Sequence, residues 1–257
     1  MHSFCVVRPK KTRSGVYFFA CKEFYTKIIA KIFAPIARLT AFERVLWLVS
    51  LAVIALSSVF SPEFNVFATL ATLIGVTALI FVSRGDVLGQ ALTVVFAVFY
   101  GIVSLSFRYY GEMITYLFMS APGAVFAVIS WMKNPYAEHE VKIVQLKKRE
   151  LCFLLFLDAA VTVLFYFILK YLDTPNLVFS TISVTTSFAA SYLTFRRSPY
   201  YALTYALNDI VLVVLWVLAC TDNISYLSMV FCFLMFLAND LYGFANWRKM
   251  EKSQSAA

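Results

Sequence analysis

Residues 150–172 read ELCFLLFLDAAVTVLFYFILKYL, a run in which Asp158 is the only charge between Glu150 and Lys170. At about 1.5 Å per residue, an α-helix of this length crosses the roughly 30 Å hydrocarbon core of a bilayer. The apolar residues do not alternate with polar ones, so the pattern fits a helix and not a barrel strand. Working outward, further apolar runs predict helices at about 41–60, 64–83, 88–107, 111–132, 175–195, 199–220 and 223–247. Turn chemistry separates them: Ser61-Pro62-Glu63, Ser83-Arg84-Gly85-Asp86, Thr174-Pro175-Asn176, Arg196-Arg197-Ser198-Pro199 and Thr221-Asp222-Asn223. Residues 133–149 form the one long internal loop. The predicted fold is all-α integral membrane, with about eight transmembrane helices.

Composition agrees. Of 257 residues, 61% are hydrophobic and 14% charged, with mean hydropathy +0.79, whereas soluble chains run nearer about half apolar and a quarter charged. In lipid such a chain is stable provided its backbone groups pair internally, which helices achieve. With the N-terminus placed in the cytosol, inner segments hold 20 of the 22 Lys and Arg residues, leaving only Arg108 and Lys170 outside. This positive-inside bias predicts that both termini face the cytosol. The net charge of +8 is then a topology signal and excludes nucleic acid as a partner. Residues 1–40 read as a basic N-terminal segment whose stretch 16–40 lies as an amphipathic helix on the anionic leaflet. Residues 41–249 form the membrane domain and 250–257 a cytosolic tail.

Five scattered cysteines (Cys5, Cys21, Cys152, Cys220, Cys232) show no CxxC spacing, and His2 and His139 both lie outside the apolar runs. No metal, cofactor or disulfide framework is expected. Intramembrane catalysis is disfavoured for the same reason, since no embedded His accompanies the embedded carboxylates.

A repeat is visible. Val66-Phe67-Ala68-Thr69-Leu70 matches Val178-Phe179-Ser180-Thr181-Ile182; Ala91-Leu92-Thr93 matches Ala202-Leu203-Thr204; Trp131-Met132-Lys133 matches Trp247-Arg248-Lys249. The offsets are 112, 111 and 116 residues. Two three-helix units (64–132 and 175–247) in one orientation require an odd linker helix, which 150–172 supplies. The result is an N-terminal helix followed by a 3+1+3 core. Parallel repeats of this kind are a transporter architecture, with the substrate between the halves near mid-membrane.

Polar groups inside the helices mark candidate cavity walls. Asn208 and Asp209 sit mid-way along the seventh helix, Asn239 and Asp240 in the inner part of the eighth, and Asp158 in the linker. Their alternative role is to tie neighbouring helices. Glu112 opens the fourth helix and reads as a cap of its N-terminus. Trp131 and Trp247, next to basic residues, read as interfacial anchors. Tyr100, Tyr205, Trp216 and Tyr242 lie deeper, where rings can stack on a flat or cationic ligand.

These residues carry a family resemblance. The ending LANDLYGFANWRK (237–249), Thr40-Ala41-Phe42-Glu43 leading to Trp47, Phe99-Tyr100-Gly101, Tyr109-Tyr110-Gly111-Glu112-Met113, Trp131, and Asn208 with Trp216 resemble the PnuC family of nicotinamide riboside transporters across about residues 40–249. The resemblance implies a homotrimeric inner-membrane facilitator without cofactor. Its small substrate enters by facilitated diffusion and is trapped by phosphorylation in the cytosol. Relatives in the wider family carry thiamine, riboflavin or deoxynucleosides, and these stay open as substrates, as does a role as a substrate-capture subunit. One departure stands out: Arg196-Arg197-Ser198-Pro199-Tyr200-Tyr201 occupies a stretch where the family often has Gln and Trp. On this reading Asn208, Asn239 and Gln90 hydrogen-bond ribose and amide groups. Tyr205, Trp216, Tyr242 and Tyr100 hold the ring, and Asp209 or Asp240 faces its positive charge.

Overall fold

The computed structural model describes residues 34–106 and 110–256. Most of the expected amphipathic segment 16–40 lies outside them. The described residues up to Val45 and those from Leu46 onward belong to separate units. Within the first, Thr40 caps a helix start reciprocally: Glu43 N–H donates to Thr40 Oγ1 at 3.3 Å and Thr40 N–H to Glu43 Oε2 at 2.7 Å.

Among the described residues, eight long helices follow in order: α1 Ala41–Val59, α2 Val66–Val82, α3 Val87–Ser106, α4, α5 Lys148–Tyr171, α6 Leu177–Phe195, α7 Tyr200–Ala219 and α8 Leu227–Ala256. Helix α4 has three segments: Tyr110–Ile114, a π-helical Thr115–Ser120, and Ala121–Met132. Pro122 accounts for the middle one, because a proline ring collides with the carbonyl four residues back and a widened turn relieves the clash. Seven of these helices are long and apolar enough to cross a membrane; α2, with 17 residues, is the short one. The Asn65 side chain accepts from Ala68 N–H at 2.9 Å and sets its start.

The 3+1+3 arrangement is present. Helices α2–α4 and α6–α8 pack within their own sets, α5 packs on α6, and the sets meet where α4 touches α6 and α8 touches α2. The third helix of each set therefore leans on the first helix of the other. Burial refines the repeat register. Phe96, Ala97, Tyr100, Val103 and Ser104 are buried in α3, and so are their counterparts 112 residues on in α7, Asn208, Asp209, Leu212, Leu215 and Trp216. The 111-residue offset expected for this helix pair is thus corrected to 112, because the buried face and not the shared phrase defines equivalence.

Trp131 and Trp247 are not interfacial anchors. They are 1% and 0% exposed and meet at 5.3 Å between ring centroids. Trp131 Nε1 donates to Thr194 O at 3.0 Å and Trp247 Nε1 to Val82 O at 2.9 Å. Their neighbours repeat the cross: Ser130 Oγ donates to Phe195 O and Asn246 Nδ2 to Ser83 O, both at 2.9 Å. The four acceptors are carbonyls at helix ends, and Thr194 O and Val82 O also accept from the turn N–H groups of Arg197 and Gly85, so each indole adds a further donor. A buried indole N–H needs an acceptor and finds one there, so burial wins over the interface.

At the same Lys/Arg-rich end, two turns adopt left-handed backbone at equivalent places, Gly85 (φ 70°) and Arg197 (φ 59°). The chain after the small hairpin (β1 Pro135–Ala137, β2 Glu140–Val141) spans both: Val141 N–H donates to Gly85 O at 3.1 Å and Val144 N–H to Arg197 O at 3.0 Å. Helix α8 does not stop near 247 but runs to Ala256. Gln254 there accepts from Ile143 N–H at 2.8 Å and donates to Glu140 Oε1 and Val141 O.

Candidate functional site

A cavity of about 70 Å³ sits between the two sets. Helix α3 contributes Gln90, α4 contributes Tyr116 from its π-helical turn, and α7 contributes Tyr205, Asn208 and Asp209. Asp240 of α8 completes the polar wall. Facing it is an apolar wall that includes Phe96, Ala97 and Phe236, so the polar groups come mainly from the second repeat. Asn208 is 4% exposed, and its Oδ1 lies 3.1 Å from Ser183 Oγ and 2.8 Å from Thr186 Oγ1. Two hydroxyls of α6 thus fix the amide while leaving Nδ2 for a ligand acceptor. Asp209 and Asp240 line this cavity together, from the packed helices α7 and α8. Asp209 Oδ2 has no hydrogen-bond partner among the described residues. A buried acceptor in that state suits a ligand that brings a donor or a positive charge.

Nine residues were expected at the site, and the structure distributes them. Gln90, Tyr205, Asn208, Asp209 and Asp240 line the central cavity. Tyr100 and Trp216 line a second cavity, also about 70 Å³, nearer the Lys/Arg-poor end. Asn239 and Tyr242 line neither. Asn239 Nδ2 donates to Ser50 Oγ of α1 at 3.0 Å and to Met235 O at 2.7 Å, the helix-tying role. A helix advances about 100° per residue, and here that step turns Asn239 towards α1 while Asp240 lines the cavity. Asp158 is partly buried in α5 and lines no cavity described here.

Glu112 is not engaged as a helix cap. Its Oε2 accepts from Tyr100 O–H at 2.9 Å, while Oε1 has no hydrogen-bond partner among the described residues. Tyr100 stacks on Tyr116 at 4.5 Å, so this carboxylate connects to the wall of the central cavity. Sequence reasoning missed Tyr116 and Ser187 at the cavity. Neither breaks the apolar or hydroxyl-rich pattern of its helix, and the π-helical turn that directs Tyr116 is set by a proline six residues on.

Comparison with known proteins came out as follows. The sequence pattern of a family described as nicotinamide mononucleotide transporter matches residues 65–249. A nicotinamide riboside transporter PnuC of Neisseria mucosa is 26% identical over 222 residues, covering 84% of each chain. The crystal structure of the vitamin B3 transporter PnuC is similar with a TM-score of 0.72 at 26% identity, over 84% of this chain and 94% of that one.

Proposed function

The chain belongs to the nicotinamide mononucleotide transporter family, a family of membrane carriers and not of enzymes, and from that premise we propose that its cargo is the unphosphorylated nicotinamide riboside. One observation carries the choice between the two chemistries. Carboxylates line the cavities described here and no Lys, Arg or His does, among the described residues. A phosphate carries about −1.5 to −2 charges at neutral pH and requires donors or cations to replace its water. The pyridinium riboside carries the opposite sign and meets Asp209, Asp240 and tyrosine faces.

In this reading Asn208 and Gln90 bond the sugar and carboxamide, and Tyr205 and Tyr116 flank the ring. A cavity of about 70 Å³ is well below the roughly 300 Å³ at which small-molecule pockets begin. The halves must therefore separate to load and release, which is alternating access. The crossed tryptophans hold the Lys/Arg-rich end closed while the other end admits ligand. The positive-inside bias makes that closed end cytosolic, in the inner membrane. A cytosolic kinase would then trap the riboside, because the added phosphate is repelled by the same carboxylates. A homotrimer, with one site per protomer, is part of the proposal.

Tyr201 supports a second reading. It lines the central cavity, packs on Trp247 at 4.7 Å, and belongs to the stretch 196–201 that departs from the family pattern. A tyrosine-walled site fits another flat vitamin or nucleoside, such as thiamine, riboflavin or a deoxynucleoside. Uptake into proteoliposomes decides: the leading reading requires that nicotinamide riboside enters and its 5′-phosphate does not. Uptake of the phosphate instead, or of neither, sinks it.

A further inference from the structure

At the Lys/Arg-poor end a larger cavity, about 480 Å³, lies between the start of α4, the end of α5, the start of α6 and the end of α7. Its volume falls within the roughly 300–1,000 Å³ range of ligand sites, which the central cavity does not reach. Among its described lining residues are three carboxylates, Glu112, Asp173 and Asp222, and no Lys, Arg or His. Glu112 contributes an oxygen without a hydrogen-bond partner among the described residues, while Tyr100 holds the other in place. Tyr116 and Tyr226 supply aromatic faces. Tyr116 and Ser187 belong to the walls of both this cavity and the central one, and Ser183 on its floor hydrogen-bonds Asn208.

We propose that this vestibule is a second, outer binding station for a cationic heterocyclic riboside, occupied before the ligand reaches the central cavity. The inference rests on the reading of the chain as a riboside carrier. A cleft lined by one sign of charge with apolar walls focuses the field and raises the local concentration of the oppositely charged ligand. The aromatic faces add cation–π attraction. Glu112 then faces the charged ring, and the sugar hydroxyls meet Ser183, Ser187 and Asn176. Passage inward follows the shared wall, with Tyr116 in contact with the ring on both sides.

The test compares uptake of nicotinamide riboside with that of its 1,4-dihydro form, which has the same sugar and no ring charge. Proteoliposomes carry the wild type, Glu112→Gln, or Asp173→Asn with Asp222→Asn. Gln at 112 retains an acceptor for Tyr100, and the two Asp positions are exposed turn residues. The wild type is expected to prefer the cation, and both variants to lower the cation-to-neutral ratio by on the order of tenfold. A ratio that stays fixed, whether both rates fall together or neither falls, overturns the vestibule assignment. A wild type that carries neither form overturns the riboside reading itself, and the assignment falls with it.

Discussion

Replacing Trp131 and Trp247 together by phenylalanine removes both indole N–H groups that cross between the repeats. Each donates to a carbonyl of the opposite set, at 3.0 Å and 2.9 Å, and a neutral hydrogen bond contributes about 1 kcal/mol net. The abandoned carbonyls keep other donors, Arg197 N–H on Thr194 O at 3.0 Å and Gly85 N–H on Val82 O at 2.9 Å. No penalty for an orphaned acceptor is therefore added. The smaller rings leave unfilled volume at positions at most 1% exposed, which costs about 1–2 kcal/mol each. Overall destabilisation is about 5 kcal/mol. Only the hydrogen-bond part, about 2 kcal/mol, breaks when the repeats separate at this end, so the closed-to-open ratio shifts by about 30-fold. The assay is thiol labelling from the Lys/Arg-rich side of Thr93→Cys, a residue of the central cavity, in a background without native cysteines. A labelling rate raised by on the order of 30-fold is expected. Unchanged labelling together with a lowered melting temperature would refute the idea that these ties hold the end shut.

Further outcomes follow from local geometry. Asn208→Ala raises the half-saturating substrate concentration about tenfold, for one to two lost hydrogen bonds; unchanged affinity in both Asn208→Ala and Tyr205→Ala would remove the proposed pocket. Gly89→Ala sets a Cβ 2.3 Å from Val82 N and 2.8 Å from Phe81 C, backbone atoms that cannot swing away, and lowers stability by about 2–3 kcal/mol in thermal unfolding. Ser50→Ala removes the acceptor for Asn239 and costs about 1 kcal/mol, and the ligand affinity of that variant stays within twofold of wild type, roughly 0.4 kcal/mol. Gln254→Ala releases the chain at 140–143, seen as faster hydrogen exchange at Ile143; equal exchange rates would show that the hairpin is held without the α8 extension.

Much of the fold was readable because the bilayer makes unusual demands on sequence. Twenty-residue apolar runs and the Lys/Arg distribution needed no tertiary knowledge, and the linker at 150–172 was implied by the parity of the repeats. The extension of α8 to Ala256 was not readable. Its residues KMEKSQSA are polar, and what holds them is the distant contact of Gln254 with residues 140–143. The tryptophans misled because an indole beside Lys fits the interface as well as it fits a buried donor. Only the register of α4 against α6 shows that a helix-end carbonyl lies within its reach. At the site, a polar residue in an apolar helix signals a partner without saying which. Asn208 turns to a cavity and Asn239 to Ser50, and their sequence contexts, each an Asn-Asp pair, are alike. Glu112 was legible as a charge and not as a vestibule wall, since that role needs the ends of four helices brought together.

The crossed ties also bear on biosynthesis. The carbonyl of Val82 leaves the ribosome 165 residues ahead of the Trp247 indole that reaches it. In the other direction, Trp131 enters the bilayer long before its acceptor Thr194 is made. The first three-helix set therefore waits, unfinished at one end, until the last helix of the second set is made. Neither set expressed alone has a finished Lys/Arg-rich end. The two expressed as separate polypeptides, parted in the loop before α5, supply each other's missing contacts.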